Sequence, residues 1–165
     1  DECKASVIGD YVANKLDMED GETPVAMLLT SDFKGFAVYF YENGKVAKIP
    51  LSQFETKLNR KRLMKAYCDK SELVAAVSSE TEKEYAVFSS AGRMLLVNSA
   101  LVPLKQSKDT LGVNVMTLKK GQRVTKITDA LTLELDSPHR YRTRNLPAAG
   151  AIVREEDIAE QLSLL

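Results

Sequence analysis

The sequence is poor in the residues that most chemistry requires. It holds one histidine, His139, and two cysteines, Cys3 and Cys68, among 165 residues. A single imidazole without carboxylate or thiol partners at ligand spacing makes no metal site, and the two thiols fit no finger or ribbon pattern. No serine-histidine-aspartate set, no glycine-rich loop leading into a helix and no pair of histidines offers a nucleophile, a phosphate cradle or a metal-held water. The chain alone therefore reads as non-enzymatic, with no cofactor and no metal. Apolar residues make up 44% of it, enough for the core of one domain. No apolar run is long enough to span a bilayer and no charged-then-apolar leader is present, so a cytoplasmic setting without a membrane partner is the expectation.

What the sequence does contain is repetition. Tyr39-Phe40-Tyr41-Glu42-Asn43-Gly44-Lys45-Val46-Ala47-Lys48-Ile49-Pro50 recurs as Tyr85-Ala86-Val87-Phe88-Ser89-Ser90-Ala91-Gly92-Arg93-Met94-Leu95-Leu96-Val97. Each copy is an alternating apolar strand, a glycine turn, a basic residue and a second strand. Asn43-Gly44 predicts a type I′ hairpin turn, and Gly92 serves the second copy. Three strand starts align about fifty residues apart: Glu22 to Met27, Glu72 to Val77 and Gln122 to Ile127. Asp20-Gly21, Ser71 and Gly121 precede them as turn formers. The predicted organisation is one all-β domain over 1–165, with repeats near 22–71 and 72–121 and partial repeats at 1–21 and 122–153. Such a period fits propeller-like arrays whose units bury their apolar faces against neighbours. Leu146-Pro147-Ala148-Ala149-Gly150 reads as a turn. Residues 154–165 predict a short helix with Ile158, Leu162 and Leu165 on one face.

Formal net charge is zero, but the charge is segregated. Acids gather at Asp10, Asp17, Glu19, Asp20 and Glu22, and again at Glu155, Glu156, Asp157 and Glu160. Lys57, Arg60, Lys61, Arg62 and Lys65 occupy one inter-strand connection; Lys105, Lys108, Lys119, Lys120 and Arg123 lie in and after the next. Lys57 and Arg60 match Lys105 and Lys108 at about the strand interval. Corresponding loops of a repeat array share a rim, so the two groups predict one positive stripe suited to phosphates. The plain alternative is that these charges only solvate long loops. Arg140, Arg142 and Arg144 alternate, and either extend the stripe or pair with the acidic tail. Tyr39, Tyr41 and Tyr141 read as strand packing, and His139 as a surface-loop residue.

These pieces, Phe40 to Phe54, Phe88 to Arg93 and Ser107 to Leu118, make the chain resemble the C-terminal domain of the A subunit of bacterial type IIA topoisomerases, the DNA gyrase and topoisomerase IV family. The likeness runs from about Ala5 to Ile127. The resemblance implies a β-pinwheel: propeller-like, four-stranded blades that exchange strands with their neighbours, with a basic rim around which duplex DNA bends. Five or six blades are usual, whereas this chain holds about three, counting partial ones. Ala5 to Gly21 reads as the close of a unit, consistent with a piece of a larger ring or a shortened, open array.

The same resemblance implies that the strand-cleaving tyrosine and metal-binding carboxylates belong to other parts of an ATP-dependent enzyme. The partners implied are double-stranded DNA, the rest of the A subunit and the B subunit. Gyrases carry a Gln-Arg-Arg-Gly-Gly-Lys-Gly box; at the comparable place this sequence has Lys57-Leu58-Asn59-Arg60-Lys61-Arg62-Leu63, basic but without the glycines. That favours a topoisomerase IV-like role over strong wrapping. The alternative from a different class is a protein-interaction β array that does not bind DNA. A carbohydrate or small-ligand propeller fits poorly, because aromatics and acids do not cluster at the loop ends.

Overall fold

A computed structural model describes residues 6, 8–30, 32–57 and 63–157. Ahead of the strands lies one short helix, α1 (Val12–Leu16), with no buried residue. The chain then forms β1 (Phe36–Tyr41), β2 (Lys45–Pro50), β3 (Leu73–Ser79), β4 (Glu84–Ser89), β5 (Arg93–Asn98), β6 (Val113–Asn114), β7 (Val124–Asp129) and β8 (Ala151–Ile152). They make two four-stranded antiparallel sheets, ordered β3-β1-β2-β6 and β7-β4-β5-β8.

The two predicted hairpins are β1-β2 and β4-β5, in equivalent registers: Phe40 faces Val46 as Phe88 faces Met94. Their turns differ from the type I′ expectation. Gly44 and Gly92 have φ of 80° and 66°, but Asn43 is not left-handed. Gly44 N–H donates to the Tyr41 carbonyl at 3.0 Å and Gly92 N–H to that of Ser89 at 3.1 Å, closing three-residue loops that end on a left-handed glycine. In this class of loop only the last position demands positive φ.

The strand order follows from a crossing of the chain that the periodicity does not reveal. After β5 the chain leaves the second sheet and lays β6 against β2 of the first. It then returns to the second sheet as β7. Lys105 N–H donates to the Lys48 carbonyl at 2.8 Å, and Thr143 N–H repeats the contact on Leu96 at 3.1 Å. Gly112 and Gly150 occupy equivalent places, where a Cβ would lie 1.9 Å from the Val46 carbonyl oxygen and 2.4 Å from that of Met94.

The main core lies between the sheets: Phe36, Val38 and Phe40 of β1 meet Tyr85 and Val87 of β4 and Leu95 and Val97 of β5. Phe40 and Tyr85 pack edge to face at 5.3 Å. The outer face of the first sheet buries Tyr39, Tyr41, Ile49 and Cys68 under Leu28, Phe33 and Phe54. That of the second buries Met94, Leu96 and Tyr141. With both faces covered, all six β1 residues are buried. Each large apolar side chain removed from water contributes about 2 kcal/mol before ordering costs.

The repeat fails at both flanks. Glu22 to Met27, expected as a strand, is irregular and exposed. Both neighbours of β1 are supplied by β2 and β3, and this stretch pairs with neither edge strand, β3 or β6. Between β3 and β6 the chain builds a hairpin; between β7 and β8 it makes only 3-10 turns at Ala130–Thr132 and Pro138–Arg140. The helix expected over 154–165 falls mostly outside the described residues, as does Cys3.

Candidate nucleic-acid interface

The first basic loop leaves β2 through a 3-10 turn, Leu51–Phe54, and exposes Lys57. Lys65 is also exposed, at a left-handed φ of 56°. Arg60, Lys61 and Arg62 lie outside the described residues. The second basic loop does not stay with the second sheet. Through the β6 crossing it is brought to the edge of the first, beside the loop it resembles.

Several contacts fix that meeting. Lys108 Nζ donates to the Gln53 carbonyl at 2.8 Å and lies 5.8 Å from the Phe54 ring centroid. Gln53 Nε2 donates to Gln106 Oε1 at 3.0 Å, and the Lys105 backbone is pinned to Lys48. Asp109 sits among the lysines. The Ser107 hydroxyl donates to it, and with Lys65 and Lys70 nearby this holds the Asp109 carboxyl below the usual aspartate value. Lys57, Lys65, Lys105 and Lys108 thus border one side of the first sheet.

Lys119, Lys120 and Arg123 fall elsewhere, near the hairpin turns. Lys119 and Lys120 are exposed on the turn before β7, where Gln122 N–H donates to the Lys119 carbonyl at 2.9 Å. The Ser90 N–H donates to the Arg123 carbonyl at 2.8 Å, and the Arg123 N–H donates to Ser90 Oγ at 3.1 Å. Its Nε lies 3.7 Å from Glu42 Oε1, so part of its charge is answered within the chain. The seven described residues of the ten fall in two areas, Lys57, Lys65, Lys105 and Lys108 in one and Lys119, Lys120 and Arg123 in the other; the remaining three lie outside the described residues.

Of the three alternating arginines, Arg142 does not pair with the acidic tail. Arg142 makes a two-pronged ion pair with Glu84, Nε to Oε1 at 2.6 Å and Nη2 to Oε2 at 2.8 Å. Arg140 and Arg144 are exposed, as is His139. Sequence reasoning missed Lys70, which lines a cavity with Lys65 and Asp109. Its only signal was a place beside Ser71, just ahead of β3. Among the described residues no group of His, Cys, Asp or Glu is arranged to hold a metal ion, and no helix is long and apolar enough to cross a membrane.

No family model and no curated protein matches the sequence. Solved structures do match. The C-terminal domain of DNA topoisomerase IV overlays with a TM-score of 0.65 at 18% identity, covering 73% of this chain and 38% of that one. The fold is that of topoisomerase C-terminal domains. The DNA gyrase A C-terminal domain gives 0.56 at 17% identity, covering 73% of this chain and 43% of that one. The E. coli ParC C-terminal domain gives 0.66 at 13% identity over 92% of this chain and 68% of that one. The chain thus spans about two fifths of the first two structures it matches.

Proposed function

We propose that the chain binds duplex DNA without sequence preference, as an accessory module of a type IIA topoisomerase A subunit. Its two sheets are then read as neighbouring blades of a β-pinwheel. The observation that carries the proposal is the convergence of two basic loops, distant in sequence, on one side of the first sheet: Lys108 is bonded to Gln53, in the loop that continues to Lys57. On this topoisomerase-type fold such a surface suits a sugar-phosphate backbone. Lysines there neutralise phosphates and release counterions, a contact that carries no base information. Curving DNA along the edge costs on the order of several kcal/mol, offset only if contacts continue around the bend.

The binding and orienting of DNA in the manner of topoisomerase IV is favoured over tight wrapping. The basic loop lacks the glycines of the gyrase box, and the overlay with the topoisomerase IV domain scores 0.65 against 0.56 for gyrase A over equal shares of this chain. The residues proposed to contact DNA are Lys57, Arg60, Lys61, Arg62, Lys65, Lys105 and Lys108, with Lys119, Lys120 and Arg123 as a separate area. The remaining A subunit and the B subunit are the proposed protein partners. Binding of the purified chain to two unrelated linear duplexes of equal length, across a salt series, tests the reading. A steep salt slope shared by both duplexes supports it; no binding at the lowest salt rejects it.

A further inference from the structure

Zero net charge is odd for a DNA-binding module, and the structure gives it a spatial explanation. Residues 10–22 contain five acids and one lysine, whereas residues 57–70 contain six basic residues and one acid. The two segments meet. Glu22 lines the same cavity, about 760 Å³, as Lys65, Lys70 and Asp109. The acidic turn is ordered by its own bonds: Glu22 N–H donates to the Glu19 carbonyl at 3.1 Å, and Glu19 N–H to Glu22 Oε2 at 2.8 Å. Yet no residue from 8 to 27 is fully buried, and the nearest apolar anchors are Leu28 and Phe33 on the outer face of the first sheet. The segment is tethered at that end and otherwise held by little apolar contact.

From this arrangement we infer that the acidic segment Asp10–Glu22 is an autoinhibitory arm, seated on the lysine wall that DNA would occupy and displaced when DNA binds. The inference rests on the DNA-binding reading and specifies how that site is regulated. Glu22 brings the arm to the cavity that Lys65 and Lys70 line, and with Asp17, Glu19 and Asp20 close to it in sequence, arm and duplex compete for the same cations. Competition of this kind lowers apparent affinity by the fraction of molecules in which the wall is free. It weakens as salt screens the arm, so the salt dependence of the intact chain is shallower than its lysine count implies.

The test compares three full-length chains: wild type, the arm variant Asp17→Asn/Glu19→Gln/Asp20→Asn/Glu22→Gln, and a control with the same charge change elsewhere, Glu134→Gln/Asp136→Asn/Glu155→Gln/Glu156→Gln. Affinity for one linear duplex and the rate of tryptic cleavage after Lys65 and Lys70 are measured for each. The arm variant is expected to bind roughly tenfold tighter at low salt with a steeper slope, and to be cut faster at both lysines, while the control stays near wild type. Equal gains in affinity by arm variant and control, with unchanged cleavage, overturn the inference. If no chain binds DNA, the DNA-binding reading fails and cleavage alone decides whether the arm covers the wall; unchanged cleavage then overturns the arm as well.

Discussion

Lys48, buried on β2, donates to Glu82 Oε1 at 2.8 Å and to the Ser99 carbonyl at 2.9 Å, tying the first sheet to both ends of the β4-β5 hairpin. Its ammonium lies 4.9 Å from the Phe36 ring centroid. Glu82 also accepts from the Ser99 hydroxyl. Burial alone would raise the Glu82 pKa, but the bonds from Lys48 and Ser99 prevail and hold it below the usual glutamate value. A depressed carboxylate contributes stability above its unfolded pKa and loses it as pH falls through the folded one. Lys48→Ala should therefore cost about 2 kcal/mol near neutral pH, less than a fully buried pair because Glu82 is partly exposed. The deficit should shrink in acid. Urea midpoints of both proteins at neutral and acid pH check this.

Tyr39 and Tyr41 respond to the opposite end of the scale. Desolvation under the covering segment, with the two phenols near each other, pushes Tyr39 up to about 12; burial likewise pushes Tyr41 up to about 12. A raised tyrosine pKa gives stability that is whole below 10, the ordinary value, and is lost as pH rises toward 12. A near-ultraviolet absorbance titration should show these two phenols ionising only together with unfolding. Tyr39→Phe/Tyr41→Phe should move the alkaline unfolding midpoint upward.

Gly112→Ala and Gly150→Ala should each destabilise the chain by about 2–4 kcal/mol, because the new methyl would strike a carbonyl oxygen of a neighbouring strand. Gly92→Ala provides the comparison. Open space surrounds that position, so only its left-handed φ resists alanine, at about 1 kcal/mol. Denaturant unfolding of the three variants ranks them.

Changing Lys57, Lys65, Lys105 and Lys108 together to Ala should weaken duplex binding and reduce the salt slope by roughly three to four units, close to one for each phosphate no longer neutralised. Lys119→Ala/Lys120→Ala/Arg123→Ala should matter less, since Arg123 already faces Glu42. Titrations at several salt concentrations separate the two sets. An equal loss from both would place DNA across the hairpin end as well.

The hairpins were legible because alternation and a glycine turn are local signals, and β3 and β7 began within two residues of their predicted starts. The loop class was not legible. Asn43-Gly44 favours two left-handed residues in isolation, but the register of Phe40 against Val46 leaves three loop residues, of which only the last needs that conformation. Glu22 to Met27 has the composition of a strand start, yet joins neither sheet. The basic residues were readable as types; their neighbours were not. Lys108 meets Gln53 only because β6 crosses back, a long-range event that no window of sequence encodes. Arg142 shows the same limit, since its partner Glu84 lies 58 positions away.

The late entry of β6 means that neither half of the chain owns a finished sheet. A backbone cut between Gln106 and Lys108 would leave β1 to β5 on one fragment and β6 to β8 on the other, with every sheet drawing strands from both. The two sheets are spliced like rope ends rather than set side by side. A nicked molecule should stay joined until it is denatured, and fragments made separately should find each other and restore the whole.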